Sequence, residues 1–268
     1  MRSLIVDRVL ESMAGALPTA LAKLWALAFL DQVGRYLLLA GLLALVLHRG
    51  RRHLANLRFP RPAPPKGQTM REIGWATTTA AVFASVHVPV LIAVYLGYGD
   101  VYWDAERYGI GYLIASNFLL LVLHDAYFYG CHRLLHWGAL YRRLHSVHHG
   151  FDLPTPWTGL ALHPIEAFVH ASFLPVALVC MPLHAAVVGH FLVFTTVYAV
   201  WSHSGHDLFP RRPRWLRRIF YTVEEHEIHH RLGREHYALY FRFWDWLFGT
   251  DATASELRDP LCVLDRSR

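Results

Sequence analysis

The sequence is poor in charge and in cysteine. Only 17% of its 268 residues are charged and 54% are hydrophobic, whereas soluble domains usually carry about a quarter charged residues. The three cysteines, Cys131, Cys180 and Cys262, lie far apart without a CxxC pair, which fits neither a disulfide framework nor a zinc ribbon. Because the apolar residues also fall in long blocks, the composition predicts an integral membrane protein.

Several functional signatures are missing as well. The N-terminal MRSLIVDRVLESM is amphipathic and contains acids, which does not resemble a cleavable signal peptide. Neither a nucleophile elbow nor a Ser/His/Asp order is visible. The sequence also has no flavin or nicotinamide fingerprint and no haem-binding domain.

Four apolar stretches are candidates for the membrane. A spanning helix needs about 20 apolar residues, and residues 24–48, 73–98 and 109–131 meet that requirement. Residues 167–201 are too long for one span and have two prolines near the middle, so they are predicted to form a helical hairpin that enters and returns. The first span is interrupted by Asp31 and Arg35, whose i, i+4 spacing lets them pair.

The distribution of positive charge indicates the orientation of the chain. Seven basic residues lie in the connector 49–71 between two apolar blocks, and cytoplasmic loops are enriched in Lys and Arg. This placement argues against a nucleic-acid partner, although the net charge is +6. The connector 99–108 is then outside, and residues 132–166 and 202–268 share the cytoplasmic face. The seven residues are Arg49, Arg51, Arg52, Arg58, Arg61, Lys66 and Arg71.

A second basic cluster lies on the predicted cytoplasmic side. It is interpreted mainly as part of the positive face of the protein, and alternatively as a docking surface for an acidic carrier or for anionic lipid headgroups. The cluster consists of Arg211, Arg212, Arg214, Arg217 and Arg218.

Histidine is abundant, with 19 residues. The pattern His-x-x-His-His occurs in HSVHH at 145–149 and again in HEIHH at 226–230, and CHRLLH adds a pair spaced i, i+4. At about 100° per residue, each trio fits within an arc of about 100° on one helix face, so its imidazoles can converge. Ten histidines stand out: His132, His136, His145, His148, His149, His163, His203, His226, His229 and His230.

The number of histidines indicates more than one metal ion. Zinc takes four ligands, whereas two ions of higher coordination number would use most of these ten and still leave room for oxygen. Imidazole suits iron, zinc, copper and nickel, so the ligand type leaves the metal open. Glu166 and Asp125 are candidates to accept the second N–H of ligand imidazoles. His124 and His206 stay open as further ligands.

Together these features predict an all-α integral membrane protein with about four transmembrane spans, one of them a helical hairpin, and a cytoplasmic histidine-rich helical cap. The run HDAYFYGCHRLLHWGALYRRLHSVHHGFDLPTPWTGLALHPIEAFVH resembles the fatty acid hydroxylase superfamily, in particular its sterol desaturase group. The resemblance covers residues 124–251. Its later elements appear in the order of that family: HSGHD at 203–207, EEHEIHH at 224–230 and YFRFWDWLFGTD at 240–251.

This sequence departs from that family at two positions. Relatives often carry another histidine where Glu225 stands, and sterol-processing relatives often carry tyrosine where His206 stands. Neither position belongs to a spaced trio.

The resemblance implies a non-haem di-iron membrane enzyme that activates O2 and hydroxylates or desaturates a lipid. It implies two iron ions, with zinc as a substitute in purified protein, and an external electron donor such as a ferredoxin, a cytochrome or a reductase. By motif match, all ten histidines named above inherit ligand roles. The implied organisation is an N-terminal membrane region at 1–108 with the basic cytoplasmic loop, a di-metal catalytic domain at 109–251 and a C-terminal tail at 252–268.

Two other functions stay open on the residues. A metal-handling membrane protein would carry its ligands along a path near the bilayer centre. A zinc-dependent membrane hydrolase would need a glutamate base, and Glu227 in HEIHH gives a superficial match to HExxH, although the histidine spacing differs. The lipid substrate, the choice between hydroxylation and desaturation, the electron donor and the oligomeric state are not specified by the sequence.

Overall fold

The structure is a computed structural model that describes residues 2–58, 62–208 and 213–251. The side chains of residues 2–16, 214 and 217 are not described. The predicted C-terminal tail 252–268 therefore lies outside the described residues. The same is true of Arg61 in the first basic segment and of Arg211 and Arg212 in the second.

The described chain is almost entirely helical. The long helices are α1 (Arg2–Arg49), α2 (Gln68–Tyr95), α3 (Gly109–Leu135) and, later in the chain, α8 (Ala185–Ser202). Shorter helices lie between them and after them: α4 (Gly138–Leu140), α5 (Ser146–His149), α6 (Pro164–Ala171), α7 (Phe173–Cys180), α9 (Arg214–Ile219), α10 (Val223–Leu232) and α11 (Phe243–Leu247). A π-helical turn occupies Tyr141–His145, and 3₁₀ turns occupy Ala55–Leu57 and Thr158–Leu160.

Four helices are long and apolar enough to cross a membrane, namely Leu17–Arg49 of α1, α2, α3 and α8. The predicted all-α membrane fold with about four spans is confirmed. The predicted hairpin consists of α6 and α7 leading in and α8 leading out, and the chain reverses at Pro182 between α7 and α8. Pro182 favours this break because a proline lacks the N–H group that would extend the preceding helix.

A two-stranded parallel pairing connects the reversal of the hairpin to the connector between α2 and α3. Strand β1 (Val101–Tyr102) pairs with β2 (Leu183–His184), and Val101 lies opposite Leu183. The 99–108 connector and the tip of the hairpin therefore lie at the same end of the helical bundle. The histidine motifs lie at the opposite end, where α3 and α8 reach their C-termini.

Small residues let the first two helices approach closely. In α2, Ala76, Ala80 and Ala84 recur at intervals of four residues and are each 2% exposed, so they form a stripe of small side chains on one helix face. From α1, Tyr36 and Ala40 are buried against this region, whereas the leucines on the other side of α1 are exposed. The exposed leucines provide the apolar surface that a bilayer requires.

Polar contacts hold the basic connector beside the histidine-rich segments. The Glu72 carboxylate accepts hydrogen bonds from Thr155 Oγ1 (2.8 Å) and Thr158 Oγ1 (2.6 Å). The backbone N–H of Asp207 donates to the carbonyl of Leu57 (2.8 Å). The Leu57 contact places the connector after α1, and the Glu72 contacts place the beginning of α2, at the same end of the bundle as the histidine motifs.

Candidate metal centre

Nine of the ten candidate histidines come together in two buried groups. The five-histidine group contains His132, His136, His145, His149 and His229, and the four-histidine group contains His148, His203, His226 and His230. Within each group, one ring nitrogen per residue lies within 4.8 Å of the others.

Each His-x-x-His-His trio is divided between the two groups. His145 and His149 lie in the five-histidine group, whereas His148 lies in the four-histidine group. The second trio is divided in the opposite sense, because His226 and His230 lie in the four-histidine group and His229 does not. On a helix, the side chain at i+4 is rotated by about 40° from that at i, and the side chain at i+3 is rotated by about 60° in the opposite direction. The expectation that each trio converges on one point is therefore wrong, since each trio lines two adjacent sites.

The five-histidine group draws on four parts of the chain. His132 lies in the last turn of α3, and its Nε2 lies 3.1 Å from Nε2 of His145 on the π-helical turn. Nε2 of His229 on α10 lies 3.1 Å from Nε2 of His136 and 3.1 Å from Nε2 of His149. One ring nitrogen of every member thus points at a common centre.

The four-histidine group is similarly compact. Nε2 of His203, which follows α8, lies 3.2 Å from Nε2 of His148 and 2.8 Å from Nε2 of His226. Both ring nitrogens of His230 are buried and have no hydrogen-bond partner among the described residues. A buried polar atom without a partner is costly, so the geometry calls for a ligand at this position.

The outer nitrogens of several rings donate to oxygen atoms. Nδ1 of His132 lies 2.8 Å from the carbonyl of Tyr237, and Nδ1 of His229 lies 2.6 Å from the carbonyl of Glu235. Since a carbonyl can only accept, Nδ1 carries the hydrogen, and in a neutral ring Nε2 then carries a lone pair. The lone pairs therefore face inward. The same arrangement holds for His203 with the Ala199 carbonyl (2.7 Å), His148 with the Ala161 carbonyl (3.4 Å) and His145 with the Glu166 carboxylate (2.7 Å).

Burial disfavours protonation of several of these imidazoles. Burial, followed by neighbouring imidazoles, holds the pKa of His148 and His229 well below the ordinary value for histidine. The pKa values of His149, His226 and His230 are lowered for the same reasons. Burial and the neighbouring imidazoles therefore disfavour a proton on these five rings, and a metal ion is the better occupant of the space between the inward nitrogens.

The spacing of the nitrogens fits metal ions. With metal–nitrogen bonds of about 2.1 Å, two ligands at right angles are about 3.0 Å apart. The observed separations of 2.8–3.2 Å between Nε2 atoms match that value. Two groups of imidazoles, five of which have their tautomer set by an oxygen acceptor, suit a pair of transition-metal ions.

An apolar cavity of about 110 Å³ leads to both groups. Its walls include His132 of the five-histidine group and His203 of the four-histidine group. Most of the remaining lining is aliphatic or aromatic, as at Phe128 and Leu174, and Gln32 and Arg35 are polar exceptions. An apolar molecule in this cavity would lie against the inward nitrogens.

Comparison with known proteins agrees with this geometry. The fatty acid hydroxylase family model matches residues 117–250, half of the chain. The chain belongs to the fatty acid hydroxylase family. No solved structure matches it.

Three relatives of this chain have names that describe sterol oxidation. Lathosterol oxidase of Homo sapiens is 29% identical over 73% of this chain and 66% of its own length. A Delta(7)-sterol 5(6)-desaturase of Gibberella zeae is 25% identical over 73% of this chain and 60% of its own length. Methylsterol monooxygenase 1 of Gallus gallus is 28% identical over 70% of this chain and 65% of its own length. The matches thus cover 60–66% of the length of these relatives.

Three other histidines singled out by the sequence lie outside both groups. Nδ1 of His163 accepts the backbone N–H of Ile165 (3.2 Å) and caps α6. Nδ1 of His206 lies 2.9 Å from the carbonyl of Ser204, and Nδ1 of His124 lies 3.0 Å from the hydroxyl of Tyr240. The ligand role expected for His163 is thus the one among the ten that the grouping of side chains does not support.

The two candidate carboxylates, Glu166 and Asp125, accept hydrogen bonds from different kinds of partner. Glu166 accepts from Nδ1 of His145, as expected for a residue that orients a ligand. Asp125 contacts no imidazole of either group and accepts the backbone N–H groups of Leu239, Tyr240 and Phe241 at 2.8–2.9 Å. Asp125 therefore anchors the segment that comes after Tyr237, whose carbonyl orients His132.

Sequence reasoning missed the peptide carbonyls that orient the histidines. The carbonyls of Ala161, Ala199, Glu235 and Tyr237 do so, and a carbonyl has no signature in the residue type. One indirect signal exists at Asp245. It lies eight residues after Tyr237 and accepts the backbone N–H groups of Tyr237 and Ala238 (2.8 Å each).

Proposed function

We propose that this member of the fatty acid hydroxylase family oxidises a membrane lipid with O2, by hydroxylation or desaturation, at a pair of iron ions. The observation that carries the proposal is the convergence of neutral Nε2 atoms from two histidine groups at one apolar cavity. The relatives are named as a desaturase, an oxidase and a monooxygenase. Those names describe redox reactions, which favours iron over zinc because zinc has no redox chemistry.

The two histidine groups would each hold one ion. Bound iron supplies the activation of O2 and the oxidising power needed to attack an unactivated C–H bond. The chain itself fixes the ring tautomers through Glu166 and through backbone carbonyls. Burial keeps the imidazoles neutral, and the apolar cavity holds a lipid chain against the centre while excluding water.

We place the metal centre on the cytoplasmic side of the membrane. The support is the connector 49–71, which carries seven basic residues and packs at the same end of the bundle as the histidine groups. Positive loops are typical of the cytoplasmic face. Electrons would come from a separate ferredoxin, cytochrome or reductase, and the lipid substrate would enter from the bilayer.

Two features argue against the rival functions. The Glu227 carboxylate, the candidate base of a zinc hydrolase, accepts a hydrogen bond from Arg231 (3.0 Å). The two histidine groups lie together at one end of the helices rather than along a path through the bilayer.

Metal content and oxygen dependence together test the proposal. The full chain, purified in lipid nanodiscs, should contain about two irons per chain by mass spectrometry of the metal. Its lipids should gain one oxygen or lose two hydrogens when O2 and a reductant are supplied. His148→Ala and His229→Ala should each lose the ion of their own group and all turnover, and His53→Ala, at an exposed position, should lose neither. Zinc content with turnover in the absence of O2 would instead establish a hydrolase.

A further inference from the structure

We infer that Arg35 is a specificity residue that binds the hydroxyl or carbonyl oxygen of a neutral lipid, with Gln32 holding it in place. The inference rests on the proposed lipid oxidation and names the class of lipid. Both residues belong to α1, outside the residues 117–250 that the family model matches. Both line the apolar cavity that reaches the two histidine groups.

A charged residue inside a membrane span needs a reason. Moving a charge into hydrocarbon is unfavourable, and such residues usually serve a binding site or a pathway. Arg35 lies within the span Leu17–Arg49, and its side chain is only 13% exposed. The Arg35 side chain lines the apolar cavity.

One nitrogen of the Arg35 guanidinium, Nε, has no acceptor among the described residues. Arg35 Nη1 donates to Asp31 Oδ2 (3.0 Å), and its Nη2 donates to Gln32 Oε1. Its Nε is buried and has no hydrogen-bond partner among the residues that the structure describes. Asp31 and Gln32 thus fix the guanidinium in one orientation and leave Nε–H for a further acceptor.

The pairing with Asp31 favours a neutral acceptor over an anion. The Asp31 carboxylate already balances the charge of Arg35 at 3.0 Å. A lipid carboxylate bound to Nε would lie close to that carboxylate and would be repelled in a medium of low dielectric constant. A hydroxyl or carbonyl oxygen accepts the same hydrogen bond without this repulsion.

The position of Arg35 in the cavity affects which carbon of the lipid reaches the metal centre. The cavity that it lines also includes His132, His145, His148, His203 and His226 of the two groups. A lipid held at its oxygen by Arg35 therefore presents one part of its chain to the metal centre. Fixing one end in this way selects which carbon is oxidised, because a reacting atom must be held within a small distance of the oxidant.

Binding of a matched series of lipids tests the inference without turnover. The probes are 1-octadecanol, octadecane and octadecanoate, and native mass spectrometry of the purified full chain gives their relative affinities. In the unaltered chain, octadecanol should bind about tenfold more tightly than octadecane, as expected for a hydrogen bond to a charged donor. In Arg35→Met the alcohol should lose this advantage, while octadecane should bind as before.

Two further variants sharpen the test. Asp31→Asn removes the balancing carboxylate, so octadecanoate should gain relative to octadecanol. Arg107→Met is the matched control, because Arg107 pairs with Asp100 in the 99–108 connector and does not line the cavity. It should leave every ratio unchanged.

Equal binding of alcohol and alkane to the unaltered chain would overturn the inference. So would an equal loss of both ligands in Arg35→Met, since that result would mean that Arg35 only maintains the fold. The proposed oxidation is read separately, from iron content and O2-dependent products, so either idea can fail while the other stands.

Discussion

His148 and His203 point their Nε2 atoms at each other across 3.2 Å, and both rings direct Nδ1 at a backbone carbonyl. Because both hydrogens are committed to those carbonyls, two lone pairs face each other. A metal ion between the rings would remove this repulsion, whereas burial and the neighbouring His203 lower the pKa of His148 and disfavour a proton there. This relationship separates a metal centre from an ordinary network of buried, hydrogen-bonded histidines.

Ligand variants should remove the ions separately. His203→Ala takes one ring from the four-histidine group and none from the five-histidine group. We expect such a chain to lose about half of its metal, since each group supplies its own ligands to its own ion. His136→Ala should do the same from the other group, and the double variant should be nearly empty. Metal analysis of the purified variants provides the measurement; complete loss of metal in either single variant would contradict two separable sites.

Glu166 should tune the metal affinity of the five-histidine group. Its carboxylate lies 2.7 Å from Nδ1 of His145 and is 1% exposed. Glu166→Gln removes the negative charge that makes His145 a stronger ligand, and loss of such a partner typically weakens metal binding about 10–100-fold. Competition with a chelator measures this change.

A second buried carboxylate provides the control for that variant. Glu72 accepts from Thr155 and Thr158 and contacts no imidazole of the two groups. Glu72→Gln should lower the melting temperature without changing metal affinity. If both glutamine variants weaken metal binding equally, Glu166 has no particular role in orienting His145.

Acid should destabilise the metal-free protein. The pKa values of His148, His149, His226, His229 and His230 are lowered in the folded chain, from about 6.5 in the unfolded chain. Above about pH 6.5 both states are neutral, so the free energy of unfolding does not change. Below it only the unfolded chain takes up protons, and stability falls as the pH falls, by at most about 1.4 kcal/mol per group per pH unit.

The melting temperature against pH measures this effect. The metal-free protein should melt at progressively lower temperature as the pH is reduced from about 7.5 to about 5.5. The metal-loaded protein should resist until protons displace the ions. A melting temperature of the metal-free chain that stays constant over this range would mean that its histidines are not buried and neutral.

The membrane fold could be predicted well from the apolar blocks. The predicted third span 109–131 lies within α3, which ends at Leu135, and Pro182 marks the reversal of the predicted hairpin. Length and hydropathy suffice here because a bilayer forces the backbone to satisfy its own hydrogen bonds. The β1–β2 pairing was not predictable, since two-residue strands have no periodicity.

The sequence predicted which histidines form the candidate site, but it did not predict how they are divided between two groups. Nine of the ten histidines lie in two groups, whereas His163 caps a helix. The division of each trio depends on how α5 and α10 are rotated about their axes against each other, and spacing within one helix does not specify that rotation. Asp125 was misread for a similar reason, because its partners are backbone groups more than 100 residues later.

Labelling of introduced cysteines tests the orientation in the membrane. Tyr98 lies at the 99–108 end of the bundle, and His53 lies in the basic connector at the histidine end; both are exposed. In a chain without its native cysteines, Tyr98→Cys should react with a membrane-impermeant maleimide on intact cells. His53→Cys should react only after permeabilisation. The opposite pattern would place the metal centre on the outer face and would contradict the expectation from the positive loops.

Gly159 should control the metal affinity of the four-histidine group from outside it. A Cβ at this position would meet the carbonyl oxygen of Ala199 at 2.4 Å, which is well inside van der Waals contact. The same carbonyl accepts from Nδ1 of His203 at 2.7 Å. Gly159→Ala must push this carbonyl aside and turn the ring of His203, so we expect a roughly 10–100-fold loss of metal affinity in that group alone.

A glycine on the same helix as Ala199 provides the matched control. At Gly189 an added Cβ would have no neighbouring atom within 4 Å, and Gly189→Ala should leave both metal affinities unchanged. Chelator competition on the two variants, with the five-histidine group as the internal reference, separates the outcomes. A Gly159→Ala chain that folds and holds both ions at normal affinity would mean that the Ala199 carbonyl does not set the orientation of His203. An equal loss from both groups would instead point to a general collapse of the site, because only the four-histidine group depends on this carbonyl.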